Sequence, residues 1–172
     1  HGFFNAIPDI DGTFRRYLSF IEYEGKYYPS LALKAVSKYL DQDLSLGFGQ
    51  TGVESVNLGQ ALSIPVDYTG KLLLNYRGPA ETIQHVSYTD LIHRRADPKL
   101  FEDKIVLVGF TALAVYDIRV TPFQSDFPGV EIHANAIDNI LSNDYLRKPD
   151  ELQFALALGL MVVGLLFGFA LS

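Results

Sequence analysis

The chain has 172 residues, a formal net charge of −6 at pH 7 and a pI near 5.1, and it contains no cysteine. An acidic balance without a basic stripe excludes nucleic acid as a partner, because nothing is available to neutralise phosphates. The lack of cysteine excludes disulfides, thiolate metal sites and cysteine nucleophiles. The first 151 residues suffice for one domain with a real core and are too few for two. The chain starts at His1 without a charged leader, so it reads as part of a longer protein whose N-terminal portion is missing.

In chain order, residues 5–12 (NAIPDIDG) carry turn chemistry: a proline that presets φ, aspartates that cap amides and a glycine that allows positive φ. Residues 16–24 (RYLSFIEYE) alternate as a strand would, with Tyr17, Ser19, Ile21 and Tyr23 on one face. Glu24-Gly25-Lys26 turns the chain, and Ser30 then caps a helix running to about Leu40. Residues 53–58, 63–66 and 71–76 are three strand-like runs, the last two separated by Asp67-Tyr68-Thr69-Gly70 as a hairpin loop. Residues 89–94 predict a short helix. Residues 104–110 (KIVLVGF) are apolar without alternation, the pattern of a strand buried on both faces. A polar loop follows. Pro128-Gly129 then opens a helix with Val130, Ala134, Ile137 and Leu141 along one face. Strands alternating with helices predict an α/β domain, a mixed sheet with flanking helices.

The chain closes on residues 152–171, LQFALALGLMVVGLLFGFAL, with no charge and no polar stripe. About 20 apolar residues at ~1.5 Å rise match the ~30 Å hydrocarbon core of a bilayer. Residues 1–151 are therefore expected to form the domain and residues 152–172 a C-terminal transmembrane helix. Gly164 and Gly168 have the small-residue spacing of helix pairs in membranes, and also the ordinary glycine usage of such helices.

Other motifs point less far. Gly47-Phe48-Gly49-Gln50-Thr51-Gly52 matches G-x-G-x-x-G, but it follows a helix and leads into a strand-like run, so it reads as a glycine-rich turn. Asp9-Ile10-Asp11-Gly12 opens like a calcium loop, yet the later ligands are absent and arginines follow. It reads as a capped turn with Asp11 paired to an arginine. His1, His85, His93 and His133 have no metal-ligand spacing, and His133 and Asp138 lie five apart on different helix faces. No metal, cofactor or catalytic group is assigned.

Three stretches together resemble one family. Residues 5–33 resemble its turn–strand–helix opening, with Pro8-Asp9-x-Asp11-Gly12 and the paired Arg15 and Arg16. Residues 64–79 resemble its central hairpin. Residues 104–141 resemble its most specific block, with Gly109-x-Thr111-Ala112, Asp117, Thr121-Pro122 and Pro128-Gly129-Val130-Glu131-x-His133-Ala134. The family is the second type of the CHASE extracytoplasmic sensor domains of bacterial transmembrane receptors. The resemblance implies a non-enzymatic sensory domain at the cell membrane, periplasmic or extracellular, that responds to an unknown small molecule or ion. Membrane helices follow such domains, and the cytoplasmic output is a nucleotide cyclase, a histidine kinase or a serine/threonine kinase.

In open α/β sheets, ligands favour the crevice at the carboxyl ends of strands. Here that edge is the loop after residues 104–110. Thr111, Asp117, Arg119, Thr121 and His133 are the expected ligand-facing residues, beside a helix N-terminus suited to anions. They could equally brace the loop. Asp9, Asp11, Gly12, Arg15, Arg16, Pro128 and Gly129 are expected to be structural. An unpaired apolar edge and an apolar helix predict a homodimer. Two other functions compete with the sensor: an assembly domain without a ligand, and a membrane-anchored hydrolase, for which no nucleophile–base pair is evident.

Overall fold

A computed structural model of the chain describes residues 1–50, 52–60, 62–111, 117–147 and 150–170. The turn at residues 9–13 closes through Gly12 N–H to the Asp9 carbonyl (2.9 Å) and Asp9 N–H to the Thr13 carbonyl (3.0 Å), with Gly12 at φ +82°. Strand β1 (Arg16–Leu18) follows, then β2 (Phe20–Tyr23) and β3 (Lys26–Pro29). The single strand expected over residues 16–24 is split at Ser19. Before it, β1 pairs with a distant strand in the core; after it, β2 pairs with β3 as an outward hairpin. Tyr17 and Ser19 are accordingly buried, whereas Ile21 and Tyr23 are exposed.

Helix α1 (Leu31–Leu40) starts as the sequence predicts. The Ser30 hydroxyl accepts from Leu33 N–H, and Asp41 closes the helix at φ +51°. Strands β4 (Leu44–Gly49), β5 (Gly52–Leu58) and β6 (Leu62–Pro65) form an antiparallel three-stranded sheet. The three glycines of the G-x-G-x-x-G string lie at the tip of the β4–β5 hairpin, which is no dinucleotide cradle because no helix begins there.

Residues 67–70 do form a tight turn, closed by Gly70 N–H to the Asp67 carbonyl (2.8 Å). They do not form the expected hairpin: β6 pairs with β5, while β7 (Lys71–Leu73) pairs antiparallel with β1. Helix α2 (Tyr88–Ile92) is a short helix capped by Ser87, and a 3-10 turn at Pro98–Phe101 follows.

Residues 104–110 depart most from expectation. They are not a strand buried on both faces. Ile105 and Leu107 pack against the core, while Val106, Val108 and Phe110 are 51%, 88% and 73% exposed. Among the described residues, the segment has no β-partner. An apolar run signals burial potential, but pairing needs a neighbour that local sequence does not supply.

Strands β8 (Ile118–Arg119) and β9 (Phe127–Pro128) make a short antiparallel pair leading into helix α3 (Gly129–Ser142). The predicted apolar face of α3 is also corrected. Of Val130, Ala134, Ile137 and Leu141, only Ile137 is buried. The inward residues are Ile132, Ala136 and Ile140 together with the polar Glu131, His133, Asn135 and Asn139. Helix α3 packs on α1 and is enclosed on most of its circumference, so polar positions had to be buried too.

The architecture is a mixed α/β domain built from small antiparallel sheets, not one continuous mixed sheet. One core runs through Leu33 and Val36 of α1, Val56, Leu58 and Ile64 of β5 and β6, Leu72 of β7, Phe127 of β9, and Ile132 and Ile140 of α3. Helix α4 (Asp150–Ala170) is 21 residues long, and the expected span of residues 152–172 extends two residues beyond it, past the described residues. Among the described residues, no helix is long and apolar enough to cross a membrane.

Candidate functional site

The N-terminus of α3 is where the expected ligand-facing residues gather. Asp117 and Arg119 flank the start of β8 and pair at 2.8 Å. The Asp117 carbonyl accepts from Gly129 N–H at 2.8 Å, and its carboxylate lies over Gly129: a Cβ at that position would meet Oδ1 and Oδ2 at 2.5 Å. A side chain at residue 129 would push the Asp117 carboxylate aside. A carboxylate of the chain itself already occupies the helix end that the sequence suggests for an external anion.

One turn along α3, His133 Nδ1 meets the Tyr17 hydroxyl at 2.8 Å, with the rings edge to face at 5.5 Å. That hydroxyl also accepts from Ala32 N–H (3.3 Å), so one phenol joins β1, α1 and α3. Burial pushes the Tyr17 phenol up to about 12. Burial also holds His133 below 6.5; the Asp117 charge opposes this and the Arg119 charge reinforces it. The Arg119 guanidinium lies 5.7 Å from the centre of the Phe14 ring.

The other two expected residues sit apart. Thr121 is buried and spends its hydroxyl on the Gln124 backbone, as a turn brace. Thr111 is exposed, and residues 112–116, including Ala112 of the family block, lie outside the described residues. Asp117, Arg119 and His133 therefore form one electrostatic group, and Thr111 and Thr121 do not join it. Asp138, five residues from His133, faces Arg77 instead.

The residues expected to be structural behave as a clamp. Arg15 grips Asp11 through two nitrogens (2.9 and 2.8 Å), and Arg16 bridges Asp9 (2.8 Å) to Asp67 (3.1 Å). The Arg15 hydrogen bond, then the Thr13 amide, hold the Asp11 carboxyl well below its usual range. Desolvation raises the Asp67 carboxyl, but bonds from Thr69, Lys71 and Arg16 leave it lowered overall. Among the described residues, no group of histidine and carboxylate side chains could hold a metal ion.

Sequence reasoning missed a polar ladder on α3. Asn139 accepts from Asn75 N–H and donates to its carbonyl (2.8 and 2.9 Å). Asn135 accepts from Arg77 N–H (3.0 Å), and both Glu131 oxygens accept from Glu81 N–H. Residues 131, 135 and 139 are spaced by four, so one helical stripe holds an extended backbone as a neighbouring strand would. The signal was a polar stripe inside an otherwise apolar helix.

The model of the family described as CHASE2 domain matches residues 1–170. The chain belongs to the CHASE2 family. CHASE2 domains are extracellular sensory domains. No curated protein and no solved structure matches this CHASE2 chain.

Proposed function

We propose that this CHASE2 chain is the stimulus-responsive part of a bacterial transmembrane receptor. Residues 1–151 lie outside the cytoplasm, and the apolar C-terminal helix anchors them in the bilayer. The observation that carries the reading is the family match over residues 1–170, which takes in all but the last residue of the charge-free stretch 152–171. The charge-free part of α4, residues 152–170, runs roughly 28 Å, close to the ~30 Å of the hydrocarbon core. Its exposed Leu156, Leu158, Leu160, Met161, Val162, Val163 and Phe167 offer apolar surface on every side, as lipid contact requires.

Asp117, Arg119 and His133 stand at the start of α3, whose far end leads through seven residues into α4. A stimulus that shifts α3 would bias a cytoplasmic cyclase or kinase through that path. Self-association supports such a receptor, and the unpaired edge at residues 104–110 is the surface proposed for it.

The absence of cysteine makes topology testable. In intact bacteria expressing the receptor, Ser125→Cys, on an exposed loop, should react with a membrane-impermeant maleimide without lysis. The chain should also stay with the membrane fraction after alkaline extraction. Labelling only after lysis would place the domain in the cytoplasm and overturn the reading.

A further inference from the structure

Away from the start of α3, a cleft of about 450 Å³ opens between the β2–β3 hairpin, the tip of the β4–β5 hairpin and the turn at residues 67–70. Its volume is within the range of small-molecule sites. The walls are aromatic: Phe20 and Tyr27 stand edge to face at 5.6 Å, and Tyr27 and Phe48 at 6.2 Å. Tyr68 closes the remaining side and is 89% exposed, and Phe48 is 65% exposed. The Phe20 ring rests on Gly70, where a Cβ would come within 2.9 Å of it, so the wall is held by backbone.

Glu22 is the one charged side chain among the lining residues. It sits directly across from Tyr27 in the β2–β3 register, on the same face as Phe20. Among the described residues it makes no salt bridge. The register and the lining place the Glu22 carboxylate at the aromatic wall, and the Tyr27 phenol is pushed up from its ordinary value by desolvation, then by the Glu22 charge and its hydrogen bond.

Three ligand classes can be weighed against this arrangement. An anion would meet a carboxylate that no basic side chain neutralises among the described residues, and the negative faces of the rings. A neutral apolar molecule would fill the aromatic walls but strip water from Glu22 without replacing it. A cation with an alkylated head satisfies both: its charge meets the carboxylate and the ring faces, and its alkyl groups take the apolar contact.

We infer that the cleft walled by Phe20, Tyr27, Phe48 and Tyr68 and charged by Glu22 binds a small organic ammonium compound. The inference deepens the sensor reading by naming a stimulus class, and it rests on that reading for its role in signalling. Three separate elements converge on the ligand, so occupancy would tie the two hairpins and the turn together.

The test is calorimetric titration of choline into the full chain in a non-ionic detergent. Its neutral isostere, 3,3-dimethyl-1-butanol, serves as the matched control. One saturable site for choline is expected, with the isostere weaker by roughly tenfold. Glu22→Gln, Tyr68→Ala and Phe48→Ala alter exposed side chains and should each lower choline affinity by about five- to tenfold while leaving the circular dichroism spectrum intact. No saturable heat up to concentrations on the order of 10 mM would overturn the inference, as would equal binding of cation and isostere or full affinity in Glu22→Gln. Such a failure leaves the maleimide result untouched, and cytoplasmic labelling would leave choline binding untouched, so the two readings fail separately.

Discussion

Asn139 shows how a single side chain can stand in for a strand. It is fully buried and satisfies both the amide and the carbonyl of Asn75. Truncation leaves two backbone groups without partners, and each such group costs about 1–3 kcal/mol when buried. Asn139→Ala should therefore lower the urea midpoint by the equivalent of at least ~1 kcal/mol, while Gln84→Ala, exposed on a nearby loop, should stay within ~0.5 kcal/mol of the parent. His133 sets a different dependence. Its folded-state pKa is depressed below 6.5. Below that pH the unfolded chain takes up a proton that the fold resists, so the contribution of His133 is present above 6.5 and is lost as pH falls. Glu131 acts with the opposite sign, because burial raises its pKa and its contribution is lost as pH rises. The melting temperature of His133→Gln should hence fall less than that of the parent between about pH 7 and about pH 5, as read by circular dichroism. A slope identical to the parent would remove His133 from the pH response.

At the scale of elements, legibility followed locality. Helix α1 could be read because Ser30 supplies its cap and its buried residues recur at helical spacing. The turn at residues 9–12 and its arginine partner could be read because Asp11 and Arg15 are four residues apart. The partner switch at Ser19 could not, since it depends on Ser19 donating to Gly70, fifty-one residues away. The α3 ladder was hidden because its acceptors serve a backbone segment some 50–64 residues earlier. Of the residues expected at the crevice edge, Asp117, Arg119 and His133 lie together, but Tyr17 was not among those expected, because only the fold brings β1 beneath α3. Residues 104–110 were rightly seen as apolar but wrongly as a strand enclosed on both faces. Their exposed side gives a direct expectation. Val108→Lys places a charge on a side chain that is 88% exposed, so it should spare the fold while reducing self-association, measured by light scattering in detergent. An unchanged oligomer would show that this edge is not the contact.

For the whole molecule, the question is how the domain and α4 communicate. The last turn of α3 ends at Asn143 with φ +51°, and the chain doubles back so that Leu146 N–H donates to the Leu73 carbonyl at 3.1 Å. This bridge ties the approach to α4 to the core. A Gly-Ser insertion of about six residues after Leu146 in the full-length receptor should leave folding intact and make output insensitive to stimulus. Full stimulus-dependent output with that insertion would rule the joint out as the transmitting part. The same bridge has a mechanical side. Among the described residues, tension applied along α4 would meet Arg147, stacked over the Tyr145 ring at 5.6 Å, and then the single hydrogen bond at Leu146. Behind it stands Tyr145, buried and pegged by its hydroxyl to Ser63 and Asn143 (3.0 and 2.7 Å). A weak link ahead of a strong one is a fuse: a modest pull frees a short length of slack, and the load then halts at Tyr145 before it can peel β7 from β1.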